Sequence, residues 1–180
     1  MNGKKVLFVG FKHQRRDSIL IGGGIANQRM LQMLQKLFGT DGVEEEYILD
    51  EERGRPLWSY GMAVALFPLN YHNGLTPQKV KRIVGRAQGY DYVFLSSSVL
   101  GIIAKKLRKS GYKGRIITHY HNVESIYYDA QMPRLLPGRK VVVNCAAHND
   151  EYGCRYSDIV ITLSRRDADT TTAGPTPSSA

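Results

Sequence analysis

The chain has little cysteine and no long apolar run. Its 180 residues, enough for one domain, include only Cys145 and Cys154, too few for a disulfide framework. The longest apolar stretch, residues 61–69, is far shorter than the roughly 20 residues that cross a bilayer. No basic start leads into an apolar segment, as a secretory signal requires. These absences predict a cytoplasmic protein with reduced thiols.

Acidic residues are nearly missing from one segment, 79–115, within a chain of net charge +9. Such a field attracts anions, whether nucleic acid, acidic lipid headgroups or phosphorylated substrates, although solvated outer faces of helices give the same pattern. The only acid of the segment is Asp91, and its basic residues are Lys79, Lys81, Arg82, Arg86, Lys105, Lys106, Arg108, Lys109, Lys113 and Arg115.

Three common motifs are also missing. Gly22 and Gly24 are followed by Asn27 where a dinucleotide fingerprint has glycine or alanine, and no Gly-Lys-Ser/Thr of a P-loop occurs. No Gly-x-Ser-x-Gly elbow supports a hydrolase triad. The sequence therefore disfavours a Rossmann-like dehydrogenase, a P-loop nucleotidase and a serine hydrolase.

What the chain does contain is a regular alternation of strand and helix patterns. Apolar helical spacing is found over residues 25–38, after Thr76-Pro77, from Val99 and over about 141–155, whereas residues 51–75 give no clear pattern. Short apolar runs typical of buried strands lie at 4–10, 46–50, 90–95, 115–120 and 158–163. The alternation predicts an α/β, Rossmann-like domain over residues 1–169, with a mostly parallel sheet covered by helices on both faces. Residues 170–180 lack large apolar side chains and are expected to form a disordered Thr/Pro/Ser tail.

Glycines cluster before the first predicted helix, at Gly22, Gly23 and Gly24. Glycine lets a backbone approach a ligand closely, and a helix N-terminus offers free N–H groups to an anion. A flexible surface loop is the alternative interpretation.

Polar residues follow the strand at 115–120, in the order His119, His121, Asn122 and Glu124. Strand alternation puts His119 and His121 on one side, where they could line a crevice. A metal site is conceivable, but no third ligand with suitable spacing appears. The other two interpretations are histidines satisfied by backbone carbonyls and a site where one histidine meets a polar ligand or a reacting group.

These features, in this order, resemble the N-terminal half of GT-B glycosyltransferases of the family 4 type. The resemblance covers about residues 3–169 and rests on the first strand, the glycines opening a helix, the segment 121–124, and Glu151 ahead of the strand that ends in Ser164. It implies one Rossmann-like half of a two-domain enzyme that transfers a sugar from a nucleotide-sugar to a saccharide or lipid-linked acceptor in polysaccharide biosynthesis.

The resemblance also implies roles for individual residues. His121 and Glu124 would be the catalytic residues, His121 near the transferred sugar and Glu124 where the family often has an acidic residue, and the Gly22–Gly24 loop would lie near the donor diphosphate. Neither a metal nor a cofactor other than the donor is implied, because basic side chains and helix N-termini stabilise the leaving diphosphate in this class. The remaining donor- or acceptor-binding candidates are His119, Asn122, Glu151 and Ser164.

The family's donor-binding C-terminal domain has no counterpart in this sequence. We therefore expect a truncated product, or one half of a split enzyme, that is inactive alone. The basic segment 79–115 would contact anionic lipid on the inner membrane face. A basic nucleic-acid- or anion-binding α/β module is the alternative, although the aromatic residues that an RNA-binding surface needs are not interleaved with the basic ones.

Overall fold

The computed structural model describes residues 3–12, 22–50, 65–72 and 74–173. Its centre is a five-stranded, all-parallel sheet with the strand order β2-β1-β3-β4-β5. The strands are β1 (Val6–Lys12), β2 (Val43–Asp50), β3 (Tyr92–Leu95), β4 (Arg115–Tyr120) and β5 (Ile159–Thr162). The helices are α1 (Gly22–Phe38), α2 (Pro77–Ala87), α3 (Gly101–Lys109), α4 (Glu124–Gln131), α5 (Arg139–Tyr156) and α6 (Arg165–Ala173).

The central strands β1, β3 and β4 are largely buried on both faces, which is why they read as apolar runs. On one face Phe8 and Phe94 stack with ring centroids 5.6 Å apart and pack with Leu34 of α1. On the other face Leu7 and Leu95 belong to a larger core with the apolar sides of α2 and α3. The predicted Rossmann-like α/β fold with helices on both faces is thus confirmed.

The strand order places a topological switch point between β1 and β3. The chain leaves β1 for β2 on one side and later returns to β3 on the other side of β1. In open α/β sheets, ligands bind beyond the carboxyl ends of the strands at such a point. The fold therefore directs attention to the residues that follow β1, β3 and β4.

Two adjacent side chains of helix α5 cap the first turns of two other helices. Asn149 Oδ1 accepts the backbone N–H of Ile102 in α3 at 2.8 Å, and Asp150 Oδ2 accepts that of Ser125 in α4 at 2.9 Å. Both bonds satisfy N–H groups that a helix leaves open in its first turn. The Asn149-Asp150 pair thus fixes how α3 and α4 approach the sheet.

Most element boundaries agree with the sequence prediction, including Thr76, whose Oγ1 accepts the Lys79 N–H as the N-cap of α2. Two elements differ. Helix α4 was not predicted, because its short pattern mixes Tyr, Asp and Gln without a clear apolar face. Helix α6 runs to Ala173, into the segment expected to be disordered from residue 170.

The start of α6 explains why it forms. The Ser164 hydroxyl accepts the Asp167 N–H at 3.1 Å and donates to Asp167 Oδ2 at 2.7 Å, a capping arrangement that favours a helix. Residues 174–180 lie outside the described residues, as do 51–64. No helix in the described part of the chain is long and apolar enough to span a membrane.

Candidate functional site

A polar row crosses the sheet at its carboxyl end, on the face covered by α1. The register Val9–Leu95–Thr118 places the next residues, Gly10, Ser96 and His119, side by side. One layer below, Phe8, Phe94 and Ile117 are the apolar residues on the same face. The residues on this face of the sheet therefore change from apolar to polar at the switch point.

The position of Gly10 in this row has no room for a side chain. A Cβ at Gly10 would lie 2.6 Å from Ser96 Oγ and 2.9 Å from the Phe8 ring, closer than real Cβ contacts. Ser96 is fully buried, and its hydroxyl has no hydrogen-bond partner among the described residues. The missing side chain at Gly10 thus leaves room for the Ser96 hydroxyl within the row.

His119 is a neutral, fully buried imidazole. It has no exposed surface, and neither ring nitrogen has a hydrogen-bond partner among the described residues. Burial, and then the neighbouring His121, lower the pKa of His119 to about 4. Leaving such polar atoms unbonded costs about 1–3 kcal/mol each, a cost more typical of a functional group than of packing.

His121 lies next to His119, with ring centroids 4.4 Å apart. Its Nε2 is 2.8 Å from Oδ1 of Asn27, a buried residue in the second turn of α1. An amide oxygen accepts, so this contact assigns the Nε2 proton to the imidazole. The prediction that the two histidines share one side of the strand is confirmed, and His121 is oriented by α1.

The predicted glycine triplet opens α1, since that helix begins at Gly22. Its first-turn N–H groups and positive dipole end belong to the same helix that carries Asn27. The loop that joins β1 to this helix, residues 13–21, lies outside the described residues.

Glu124 belongs to a different polar neighbourhood, between α4 and α5. Burial, and then the nearby Asp150 carboxylate, raise the pKa of Glu124 to about 7. Burial also raises the pKa of Asp150, while Ser98 and the Ser125 N–H oppose that shift. Glu124 therefore exchanges its proton near neutral pH, as a general acid or base must.

The other predicted site residues lie at the surface. Asn122 is exposed directly after β4. Glu151 lies on the outer side of α5, where its carboxylate is 3.8 Å from Arg155, and its neighbour Asp150 is the residue that points inward. Ser164 uses its hydroxyl to cap α6. The structure brings His119 and His121 together and leaves Glu151 and Ser164 in structural contacts.

Two residues of these neighbourhoods were missed from the sequence, Asn27 and Asp150. Asn27 falls at the helical spacing of Met30 and Leu34, so a polar residue stood on the apolar face of α1. Asp150 follows Ala146 by one turn on the buried side of α5. In both cases the available signal was a polar side chain at an inward position.

Asp158, the acid before β5, has a structural role at the amino end of the sheet. Its Oδ2 accepts the Ile116 N–H at 2.7 Å and pairs with Arg108, which also donates to the carbonyls of Tyr112 and Gly114. The arrangement joins β4, β5 and α3 at the end opposite the polar row.

We predict that Asp158→Asn lowers the free energy of unfolding by about 1–2 kcal/mol, because a charge-assisted bond is lost. Urea unfolding measures the change, with the exposed Asp41→Asn as a control expected to differ little. A loss of ligand binding without a loss of stability would contradict the structural role.

Many basic side chains of the predicted segment 79–115 form contacts within the chain. Arg82 and Arg86 pair with Glu46, and Lys79 Nζ donates to the carbonyls of Ile48 and Gly74. The Lys105 ammonium lies 3.7 Å from the centroid of the Tyr152 ring. These contacts reduce the free positive charge that an external anion would meet.

A separate concave region of about 570 Å³ lies at the amino ends of the strands. Its polar groups are engaged: Asp91 accepts from Lys4 Nζ and the Lys5 N–H, and the Tyr112 hydroxyl donates to the Tyr90 carbonyl. We assign the region a structural role. Within the described ranges, no three His, Cys, Asp or Glu side chains are grouped to hold a metal ion.

Comparison with known proteins identifies a fold relative. No protein-family model matches the sequence, and no curated protein matches it significantly. Among solved structures, the chain is similar to the crystal structure of Anabaena Alr3699/HepE in complex with UDP, with a TM-score of 0.50 and 14% identity. The match covers 94% of this chain and 40% of that one, so this chain spans less than half the length of its structural neighbour. The similarity supports the Rossmann-like fold.

Proposed function

We propose that this chain is the acceptor-side, N-terminal domain of a GT-B glycosyltransferase of the family 4 type. It would transfer a sugar from a nucleotide-sugar to a saccharide or lipid-linked acceptor in polysaccharide biosynthesis. Transfer would require a second, donor-binding domain. The observation that carries the proposal is the polar row Gly10, Ser96 and His119, with His121 held by Asn27 at the switch point.

The reaction needs an uncharged hydrogen-bonding surface for the sugar. During sugar transfer, the acceptor hydroxyl oxygen forms a bond to the anomeric carbon. The bond from that carbon to the diphosphate oxygen breaks, and its electron pair leaves with the diphosphate. The hydroxyl proton passes to a base. The oriented His121 would offer a hydrogen bond to a sugar hydroxyl, and the neutral His119 buried beside it adds no charge that would attract a counterion.

The leaving diphosphate needs stabilisation of its negative charge. The first turn of α1, with Gly22, Gly23 and Gly24, provides N–H groups and a positive dipole end, and glycine allows close approach. The structural neighbour was crystallised with UDP, the nucleotide that a UDP-sugar releases, which supports this class of donor. Glu124, with its pKa raised to about 7, is the proposed acid or base.

The binding-module alternative is less well supported. Arg82, Arg86 and Arg108, which would have to meet nucleic acid phosphates, form intrachain salt bridges with Glu46 and Asp158. A single-stranded RNA oligonucleotide that bound this chain more tightly than UDP at moderate salt would favour the alternative.

We predict that UDP-glucose, a UDP-sugar, binds this chain weakly and that His121→Ala lowers its affinity by about tenfold, the effect of losing one or two hydrogen bonds to the sugar. Amide and histidine-ring NMR shifts measure binding in this weak range. His148→Ala is the matched control, because His148 is an exposed histidine of α5 bonded to the Asn144 carbonyl.

The proposal requires the amides of Gly22, Gly23 and Gly24 to shift together with the ring of His121. Shifts confined to the basic segment 79–115 would contradict it. Equal losses in His121→Ala and His148→Ala would show that the polar row is not the binding site.

A further inference from the structure

Two adjacent leucines protrude between α4 and α5. Leu135 is 96% exposed and Leu136 is 43% exposed. Single exposed leucines are common, whereas contiguous exposed apolar side chains mark interaction sites. The exposed apolar residues nearest in sequence are Ile126, Tyr127 and Val141.

The segment that carries them, residues 133–139, consists of two consecutive turns and is named here the leucine turn. The Leu136 N–H donates to the Pro133 carbonyl at 3.0 Å, which places Leu135 at the tip of the first turn. The Arg139 N–H donates to the Leu136 carbonyl at 3.1 Å, and Gly138 has φ 80° and ψ −2°, as position three of a type II turn requires. These bonds hold Leu135 outward.

A side-chain contact anchors the leucine turn to α4. Arg139 Nη2 donates to the backbone carbonyl of Asp129 at 2.7 Å and pairs with its carboxylate. Because the last residue of the turn is tied to the helix before it, the protruding leucines have a defined position.

The exposed charged side chains that flank the two leucines are positive. Arg134 and Lys140 flank the leucines and are exposed, while Asp129, the nearest preceding acid, is neutralised by Arg139. No other acid occurs until Asp150, which is buried. Exposed leucines between exposed cations complement a bilayer surface with acyl chains below anionic phosphates.

We propose that the leucine turn docks this protein onto an anionic lipid bilayer, with Leu135 and Leu136 inserted and Arg134 and Lys140 at the lipid phosphates. The inference goes beyond the proposed transferase function, since it stands on a different surface and needs no sugar chemistry. It also differs from the sequence expectation, which placed membrane contact in segment 79–115.

Co-sedimentation with phosphatidylcholine vesicles, with and without phosphatidylglycerol, tests the proposal. The full chain should partition to the vesicles that contain phosphatidylglycerol, and less so as salt increases. We expect Leu135→Gln to weaken binding about tenfold and Arg134→Gln or Lys140→Gln about fivefold each. Leu69→Gln is the control for an exposed leucine elsewhere, since Leu69 is 60% exposed.

Lys109→Gln and Lys113→Gln are the controls for the basic segment, because both lysines are exposed. Equal loss of binding in these variants, or no loss in Leu135→Gln, would overturn the proposal. So would the absence of binding to anionic vesicles. If Leu135→Gln instead changed the sedimentation velocity of the protein without vesicles, the leucine turn would be a protein interface and the lipid proposal would be wrong.

Discussion

Replacement of Gly101 by alanine is expected to lower the free energy of unfolding by about 3 kcal/mol, at the upper end of overpacking costs. A Cβ at this position would lie 1.9 Å from the backbone oxygen of Asn149 and 2.8 Å from the backbone nitrogen of Gly153. Both atoms belong to the backbone of α5, so no side-chain rotation can relieve the clash. The two helices would have to separate.

The separation would also disturb the helix caps. Asn149 accepts the Ile102 N–H next to Gly101, so moving α5 away weakens this bond and the adjoining bond from Asp150 to α4. Urea unfolding monitored by circular dichroism measures the loss. We expect the slope of the unfolding free energy against urea concentration to stay constant, because the surface exposed on unfolding hardly changes.

Gly85→Ala is the matched control, and we expect it to raise the free energy of unfolding instead of lowering it. Gly85 lies in α2, is exposed, and would place its Cβ in open space. Alanine there should stabilise the protein by about 0.5–1 kcal/mol, since it restricts the unfolded chain and favours a helix. Equal effects of the two substitutions would show that the contact between α3 and α5 does not limit stability.

Replacement of Glu124 by glutamine is expected to stabilise the protein by about 3 kcal/mol at pH 8 and by little at pH 4.5. Burial and Asp150 raise the pKa of Glu124 to about 7, whereas an unfolded glutamate titrates near 4.5. The folded state therefore binds this proton more tightly than the unfolded state does. The wild-type protein loses this contribution as the pH rises from about 4.5 to about 7.

The difference between the variant and the wild type isolates this titration. His72, stacked on Tyr128 with ring centroids 5.4 Å apart, and His119 each have a pKa lowered to about 4. Both therefore add stability that is lost as the pH falls from about 6.5 to about 4, the opposite direction. Because both histidines are present in each protein, their contribution cancels in the difference.

Unfolding free energies at several pH values between 4.5 and 8 check this prediction. Glu151→Gln serves as the control, because that carboxylate lies on the outer side of α5 and its pair with Arg155 is exposed, worth under about 1 kcal/mol. A constant difference between Glu124→Gln and wild type at all pH values would contradict the titration. It would indicate a packing effect instead.

The fold was largely predictable because its elements depend on local patterns. Strand β1 is buried and apolar from Val6 to Val9, and α2 begins where Thr76 and Pro77 supply a cap and a preset backbone angle. The edge strand β2 was predicted too short. Its first residues, Glu44 and Glu46, pair with arginines of α2, which local hydrophobicity does not register.

The amino-acid sequence by itself determined the α/β alternation and the placement of His119 and His121 on one side of a strand, because helical and strand periods act over a few residues. The tertiary structure alone decided which groups meet. Asn27 reaches His121 across 94 residues of chain, and Asp150 rather than Glu151 turns inward to Glu124. Such contacts depend on strand order and helix packing, and the burial they create sets the pKa of Glu124 and of His119.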